Sequence, residues 1–306
     1  MWDTLDYLYQ ALFSAHVLIA PEYIVATLIV VWLYYRLELR RGRATRGFWA
    51  WATPARIWRH ASTRLDMQLF VIGRGMVALG IFGRLSLITV IAVAVSRALS
   101  PTTSAALIGP VAVAFLMWLA SDMTSYWMHR AFHQLRMIWP LHAVHHSAEV
   151  MTPITAYRQH PLALVLSAVV QTAALGLVQG LIAAFLAPDT AAATFAGVNL
   201  FAMAANFAMA NLHHSHIWMR YPAWLERVVI SPAQHQIHHS TLPAHYNSNY
   251  GQTLALWDWA FGTLILSAGH EQPPIGLTDP EDAPLMQHDL ASTFLSPLKR
   301  IVRLRK

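Results

Sequence analysis

The chain has 306 residues, of which 56% are hydrophobic and 12% are charged, and its formal net charge at pH 7 is +6. Because charged residues make up about a quarter of a typical soluble domain, this composition indicates a membrane protein. The absence of cysteine excludes structural disulfides, thiolate-ligated iron–sulfur clusters and a thiolate-ligated haem. The basic residues lie beside apolar segments, so attraction to anionic lipid explains the charge, and no nucleic-acid partner is expected.

The N-terminal segment MWDTLDYLYQ contains two aspartates and no basic residue. A secretory signal peptide begins with a positively charged region, so we expect this segment to be retained. The first apolar stretch is followed by eight arginines between Arg36 and Arg64. The positive-inside rule places this basic segment in the cytoplasm.

Apolar stretches that approach the roughly 20 residues needed to cross a bilayer predict the membrane-spanning helices. They cover residues 24–34, 77–95, 105–120, 162–186 and 191–212, and Arg84 interrupts the second. Counted from the basic segment, residues 122–160 and everything after Leu212 fall on the cytoplasmic side. The predicted fold is therefore all-α, an integral membrane helical bundle of about four spans with a cytoplasmic cap rich in histidine.

The chain is predicted to form a single membrane-embedded domain over residues 1–306. Its histidine motifs define a catalytic region from about residue 110 to residue 265. Residues 266–306 contain several prolines and end in PLKRIVRLRK. This composition predicts an irregular polar tail with a short basic amphipathic end.

Eight histidines fall into three motifs with helical spacing. HRAFH contains His129 and His133, HAVHH contains His142, His145 and His146, and HQIHH contains His235, His238 and His239. Residues three and four apart lie on one face of a helix, so each motif can direct its imidazoles to one point. Pro140 and Pro232 precede the second and third motifs, as is typical of the first turn of a helix.

The number of these histidines indicates metal binding. Independent placement predicts roughly 0.05 HxxHH patterns in a chain of this composition, whereas two are present. Imidazole suits zinc, copper, iron and nickel, and one structural zinc needs only four ligands. Eight histidines therefore favour two metals in one site. Two iron ions in such a site could activate dioxygen for attack on an unactivated C–H bond, although the residues alone do not name the metal.

Other histidines lie outside the three motifs. In NLHHSHI, His214 is a further candidate ligand, whereas His213 and His216 fit residues at the membrane interface. His160 in RQHP precedes a predicted apolar helix and fits a residue that forms hydrogen bonds at the helix end.

Two other classes of function remain open at this point. A zinc-dependent membrane hydrolase would need a carboxylate base near its ligands, but the sequence contains no HExxH motif. A non-catalytic metal-binding or transport protein is the other alternative. Transporters place their ligands near the bilayer midplane in broken helices, whereas these apolar stretches contain few polar groups.

The chain resembles the fatty acid hydroxylase/sterol desaturase superfamily, and most of all its bacterial branch. The matching stretches between about residues 120 and 265 are DMTSYWMHRAFH, LHAVHHS, TAYRQHP, HHSHI, SPAQHQIHHS and NYGQTLALWDWAFGT. The resemblance implies a di-iron centre and O2-dependent hydroxylation or desaturation of a membrane lipid, such as a sterol-like, carotenoid or fatty acyl substrate. It also implies a centre facing the cytoplasm, which we expect in the bacterial cytoplasmic membrane. Because the chain has no cysteine for an iron–sulfur cluster or a thiolate-ligated haem, we expect the electrons to come from a separate donor protein.

Carried over by position, the resemblance makes the eight motif histidines and His214 the metal ligands. His216 stands where related chains often carry asparagine. Ligating imidazoles need a partner for the second ring nitrogen, and the acidic candidates for this role are Asp122, Glu149 and Asp258. Asp258 fits equally well a carboxylate that fixes a turn near Gly262.

Overall fold

The computed structural model describes residues 20–82, 87–99, 105–188, 191–195, 198–207, 211–270 and 272–304. The segment MWDTLDYLYQ and Arg84, for which the sequence makes predictions, lie outside these residues. The described chain is predominantly helical, in agreement with the predicted fold class. In chain order the helices are α1 (Pro21–Arg40), α2 (Phe48–Ala52), α3 (Ala55–Trp58), α4 (Ala61–Ala78), α5 (Ile88–Ala98), α6 (Pro110–Gln134), α7 (Trp139–His146), α8 (Pro161–Phe185), α9 (Leu200–Ala205), α10 (Asn211–His213), α11 (Pro232–His238), α12 (Leu256–Ala260) and α13 (Leu290–Leu304).

Shorter elements connect these helices. The 3₁₀ helices are Pro153–Tyr157, Pro243–His245 and Pro280–Gln287. Strands β1 (Thr194–Phe195) and β2 (Val198–Asn199) pair in antiparallel register, with Thr194 opposite Asn199.

Within the described residues, α8 is the helix that is long and apolar enough to cross a bilayer. Its 25 residues include no charged side chain, and it coincides with the predicted stretch 162–186. His160 caps its first turn, because its Nδ1 accepts a hydrogen bond of 3.1 Å from the amide of Leu162. The helix-end role expected for His160 is thus confirmed, whereas the number of spans and the side of the cap stay predictions.

The predicted span over residues 77–95 is wrong as one continuous helix. Helix α4 ends at Ala78, and Gly80 has a φ of +68°, the left-handed conformation that commonly ends helices. Helix α5 then has only 11 residues, so it is about 16 Å long and too short to cross the hydrocarbon core alone.

The predicted span over residues 191–212 is also wrong as one helix. The chain first forms the β1–β2 pair, and the six-residue α9 begins only after Asn199. The Oδ1 of Asn199 accepts a hydrogen bond of 2.9 Å from the amide of Phe201, and its Nδ2 donates to the carbonyl of Ala114 at 2.8 Å. Because asparagine is a strong N-cap residue, it starts a helix inside the apolar stretch.

The tail is more ordered than the composition predicts. It contains the 3₁₀ helix Pro280–Gln287 and the 15-residue α13, both of which pack against α7. Leu285 joins Ala143 and Val144 of α7 and Leu65 of α4 in one buried cluster. The tail is therefore part of the helical layer that surrounds the histidine motifs.

Two glycines of α8 allow close contact with α5. A Cβ on Gly176 would lie 2.7 Å from the Cβ of Ile91, and a Cβ on Gly180 would lie 2.6 Å from the Cβ of Val95. Real carbon atoms do not approach so closely, so hydrogen at these positions permits the two helices to pack in direct backbone contact.

We expect Gly180→Ala to destabilise the protein by about 1–3 kcal/mol, because the new methyl group overpacks the α5–α8 contact. Gly75→Ala is the matched control, since Gly75 lies in a helix and has no neighbour within 4 Å of an added Cβ. That variant should be neutral or more stable by up to about 1 kcal/mol. The thermal unfolding midpoint in detergent measures both effects, and equal midpoints for the two variants would contradict the close packing.

Candidate metal centre

The structure brings all nine predicted ligands into two adjacent groups. The five-histidine group contains His129, His133, His142, His146 and His238, and the four-histidine group contains His145, His214, His235 and His239. Within each group, one ring nitrogen of every member lies within 4.8 Å of the others. The groups adjoin, because the rings of His146 and His239 stack with centroids 4.3 Å apart.

Helical periodicity decides how each HxxHH motif contributes to the groups. On α7, His142 and His146 are four residues apart and face the five-histidine group, whereas His145 points to the four-histidine group. The HQIHH motif is divided as well, with His238 in the five-histidine group and His235 and His239 in the other. Each motif therefore bridges the two groups.

The helices that carry these motifs are fixed at their first turns. Pro140 and Pro232 occupy the start of α7 and α11, as the sequence predicts. Ser231 and Gln234 complete a capping box at α11: the Ser231 hydroxyl accepts from the Gln234 amide at 3.1 Å, and the Gln234 side chain accepts from the Ser231 amide at 3.0 Å. The direction of α11, and so of its imidazoles, follows from this cap.

Backbone carbonyls orient three of the rings. The Nδ1 of His129 lies 2.8 Å from the carbonyl of Tyr250, and the Nδ1 of His238 lies 2.8 Å from the carbonyl of Ser248. The Nδ1 of His145 lies 3.3 Å from the carbonyl of Arg158. A carbonyl only accepts, so the Nδ1 of His129 and the Nδ1 of His238 carry the hydrogen and their Nε2 atoms keep the lone pair that binds metal. The Nδ1 of His145 also lies 3.2 Å from the Nε2 of Gln159.

In the four-histidine group, the Nε2 of His214 lies 3.1 Å from the Nε2 of His145 and 2.8 Å from the Nε2 of His235. Nine other ring nitrogens of the two groups are buried without a hydrogen-bond partner among the described residues. They are Nε2 of His129, His133, His146 and His238, Nδ1 of His235, and both ring nitrogens of His142 and His239. Buried polar atoms are rarely left unpaired in a native protein, because each one costs free energy. Convergent unpaired imidazole nitrogens are the donor set that a metal centre requires, so the residues present fit metal ions.

Burial keeps these imidazoles neutral. Removal from water lowers the pKa of His145 to about 3, with a smaller contribution from the neighbouring His129. Burial, and then repulsion from neighbouring histidines, also holds the pKa values of His146 and His239 well below the usual 6.5. Protons therefore do not compete for the metal-binding lone pairs near neutral pH.

We expect the metal-free protein to lose stability as the pH falls below about 6.5. The unfolded chain then takes up protons on its histidines, whereas the folded groups stay neutral down to much lower pH, about 3 for His145. Unfolding thus becomes coupled to proton uptake, and its free energy decreases. Thermal unfolding of chelator-treated protein at about pH 7.5 and about pH 5.5 measures this change.

The matched variant for this experiment is His270→Asn, which removes an exposed histidine and should leave the pH dependence unchanged. An unfolding midpoint that did not differ between the two pH values would show that the buried imidazoles do not resist protonation.

None of the hydrogen bonds in the described part of the chain joins Asp122, Glu149 or Asp258 to one of the nine imidazoles. Asp122 is buried and accepts from the amides of Thr253 and Leu254 and from Nε1 of Trp257, at 2.9–3.2 Å. It fixes the loop before α12 against α6.

Asp258 is connected to the proposed ligand His129 through one intervening residue, Tyr250. Its carboxylate accepts from the amides of Tyr250 and Gly251, both at 2.8 Å, and from the hydroxyl of Thr263 at 2.6 Å. The carbonyl of Tyr250 in turn orients His129. Asp258 therefore fixes a turn and, through that turn, the position of an imidazole.

Glu149 pairs with His288 of the tail, whose Nε2 lies 2.5 Å from its carboxylate. Arg158 donates to the Nδ1 of His288 at 2.9 Å, so the Nε2 of His288 carries the hydrogen. His60 lies close to this pair, and its Nδ1 accepts from the amide of Ser62. The Glu149–His288 pair is therefore a hydrogen-bonded contact between the tail and the segment after α7, and His60 lies beside it.

Arg158 is fully buried and is a structural residue that sequence reasoning missed. Its guanidinium donates to Asp66 at 2.8 Å, to the carbonyl of Val144 at 2.9 Å and to the hydroxyl of Ser147 at 2.8 Å. Asp66 is also fully buried. The pair connects α4 to the last turn of α7, next to His145 and His146.

Arg158→Met would leave Asp66 buried without its cation, so we expect a loss of about 3–5 kcal/mol in stability. The substitution keeps the backbone carbonyl that orients His145 but removes the guanidinium contacts that fix this part of the backbone, so metal content per chain should fall with the unfolding midpoint. Arg227→Met is the control, since Arg227 is exposed and, among the described residues, donates only to the carbonyl of Ala223. Wild-type midpoint and metal content in the Arg158 variant would contradict this role.

His213 and His216 lie outside both groups. The Nε2 of His213 lies 3.1 Å from the carbonyl of Ile230, and the Nε2 of His216 lies 3.1 Å from the carbonyl of Trp51. A backbone carbonyl thus holds each ring, and the ring of His213 stacks on that of His235 with centroids 5.6 Å apart.

Comparison with known proteins gives a consistent family. Residues 114–263, which include all nine histidines, match the family model described as fatty acid hydroxylase. Alkylglycerol monooxygenase of Danio rerio is 29% identical over 167 residues, which cover 54% of this chain and 33% of that protein. Ornithine lipid hydroxylase OlsE of Rhizobium tropici is 28% identical over 153 residues, or 50% of this chain and 42% of that protein.

Delta(7)-sterol-C5(6)-desaturase of Nicotiana tabacum is 32% identical over 143 residues, or 45% of this chain and 44% of that protein. The matched segments thus cover 33% to 44% of the length of these relatives. No solved structure matches it. The chain belongs to the fatty acid hydroxylase/sterol desaturase superfamily, as its histidine motifs predict.

Proposed function

We propose that this protein is a membrane oxidoreductase that uses two iron ions and O2 to hydroxylate or desaturate a C–H bond of a lipid. The observation that carries the proposal is the pair of adjacent histidine groups, in which nine buried ring nitrogens have no hydrogen-bond partner among the described residues. The relatives support the reaction class, because their names describe a monooxygenase, a hydroxylase and a desaturase.

The five-histidine group would hold one iron and the four-histidine group the other. When bound, the two ions would supply the activation of O2 that an unactivated C–H bond requires. The protein would hold the ligand rings in place through the carbonyls of Tyr250, Ser248 and Arg158. Since all nine histidines are buried or partly buried, the fold would also keep bulk water away from the reacting carbon.

Electrons would come from a separate donor protein, because the chain has no cysteine to ligate an iron–sulfur cluster. The substrate would come from the bilayer, since the chain carries an apolar helix long enough to cross it. The relatives are named for an alkylglycerol, an ornithine lipid and a sterol. For this chain we propose a membrane lipid with a sterol-like, carotenoid or fatty acyl skeleton.

A cytoplasmic position of the centre, in a bacterial cytoplasmic membrane, is proposed from the arginines between Arg36 and Arg64. A zinc hydrolase is less well supported, because neither histidine group of the described residues includes a carboxylate that could act as a base.

Elemental analysis of the detergent-purified protein should find about two iron atoms per chain, as two metal sites require. His145→Ala and His239→Ala should each lower the iron content and abolish O2 consumption with lipid extract and an added reductant, while the protein still inserts into membranes. His270→Ala, at an exposed position, should keep both properties. One zinc per chain, or full activity in both ligand variants, would contradict the proposal.

A further inference from the structure

One side of α13 is covered by the rest of the chain. Phe294 and Ile301 pack against two buried clusters, and Thr293 and Pro297 lie buried between them. This side attaches the helix to α7 and to the 3₁₀ helix Pro280–Gln287. Packing within the protein therefore accounts for this apolar face.

A second apolar face of α13 is exposed. Leu295, Leu298 and Val302 are 51%, 38% and 57% exposed, and their spacing of three and four residues aligns them as one stripe along the helix. Lys299 and Arg303 are exposed one turn apart beside this stripe. An apolar stripe bordered by basic residues is the arrangement of helices that lie in the surface of a bilayer.

The charges beside the stripe are not used within the described chain. Arg300, on another side of α13, pairs with carboxylates of the segment 279–282. None of the ion pairs formed by the described residues involves Lys299 or Arg303. These two side chains are therefore available to an anionic partner outside the chain.

The contacts of α13 place it at one end of the apolar helix α8. The Nε2 of His160, the N-cap of α8, lies 3.3 Å from the carbonyl of Phe294. Ile301 packs against the same cluster as Leu166 and Val170, which belong to the first turns of α8. If α8 crosses the bilayer, α13 lies where the head groups are.

We propose that α13 is an interfacial helix that binds anionic phospholipid head groups. The side chains of Lys299 and Arg303 contact lipid phosphates, while Leu295, Leu298 and Val302 insert at the boundary of the hydrocarbon core. The bilayer is the occupant that the position of the helix indicates, because the neighbouring α8 enters it.

Docking of α13 would set the depth of the metal centre. Helix α13 packs on α7, which carries His142, His145 and His146. A fixed height of α13 at the head groups therefore fixes the height of these imidazoles relative to the lipid chains. The inference requires that α8 enters the membrane, but it does not require the proposed oxidation, so the two can fail separately.

The absence of cysteine allows a direct test in the full-length chain. Leu298→Cys, and separately Val302→Cys, would be labelled with an environment-sensitive fluorophore. Ala283→Cys serves as the control, because Ala283 is exposed in the acidic 3₁₀ helix Pro280–Gln287. The proteins would be reconstituted in phosphatidylcholine vesicles with or without phosphatidylglycerol, and quenching by lipids brominated near the top of the acyl chains would be measured.

We expect brominated lipid to quench labels at positions 298 and 302 but not at 283, with a blue shift that increases when phosphatidylglycerol is present. In Leu298→Cys, adding Lys299→Gln and Arg303→Gln should remove the effect of phosphatidylglycerol. Equal, weak quenching at positions 283, 298 and 302 would overturn the proposal. Quenching of equal strength with and without phosphatidylglycerol would also overturn it, because it would show apolar insertion without binding of anionic head groups. Self-quenching between labels without quenching by lipid would overturn it as well, because it would indicate that a second copy of the chain covers the stripe.

Discussion

The structure depends on keeping nine imidazole rings together in the interior in their uncharged form. Two groups of histidines cannot all be charged at such short separations, and burial already disfavours the charged form. Neutral rings remove the repulsion but leave convergent nitrogens without hydrogen-bond partners. Leaving these buried nitrogens without hydrogen bonds costs free energy, and a ligand that binds to them explains this cost most directly. For this reason the proposed function includes metal ions.

The charged groups around the centre act on the backbone rather than on the rings. Asp258 holds the amide of Tyr250, and Arg158 holds the last turn of α7. The carbonyls of these same two residues, Tyr250 and Arg158, orient His129 and His145. Orientation by carbonyls instead of carboxylates adds no negative charge next to the two histidine groups, so the rings and their carbonyl partners bring no formal charge to the site.

Local sequence patterns were sufficient for the parts of the site that lie within one turn of a helix. HxxxH and HxxHH spacing identifies which histidines share a face, and Pro140 and Pro232 locate the helix starts. The division of each HxxHH motif between two groups depends on how α6, α7 and α11 meet. The Asp66–Arg158 pair joins residues 92 positions apart, so no local pattern could predict it.

The apolar stretches were a less reliable guide, because apolar composition alone does not locate the ends of helices. Hydropathy contains no information about backbone conformation. It therefore predicts one span across Gly80, where α4 and α5 are separate helices, and one span across Asn199, which ends β2 and caps α9. It identifies α8 correctly because that stretch has no residue that ends a helix. Spans are therefore best predicted where apolar composition and the absence of turn or cap residues agree.

The tail connects the proposed interfacial helix α13 to the proposed metal centre through a short series of contacts. Trp139 lies against His133 and His146, with ring centroids 5.2 and 5.6 Å away. Its indole N–H donates to the buried Asp282 at 3.1 Å, and Asp282 pairs with Arg300 of α13. A helix docked on the bilayer would thus support the ring that packs on two of the proposed ligands, so membrane binding and the geometry of the centre would share one structural element.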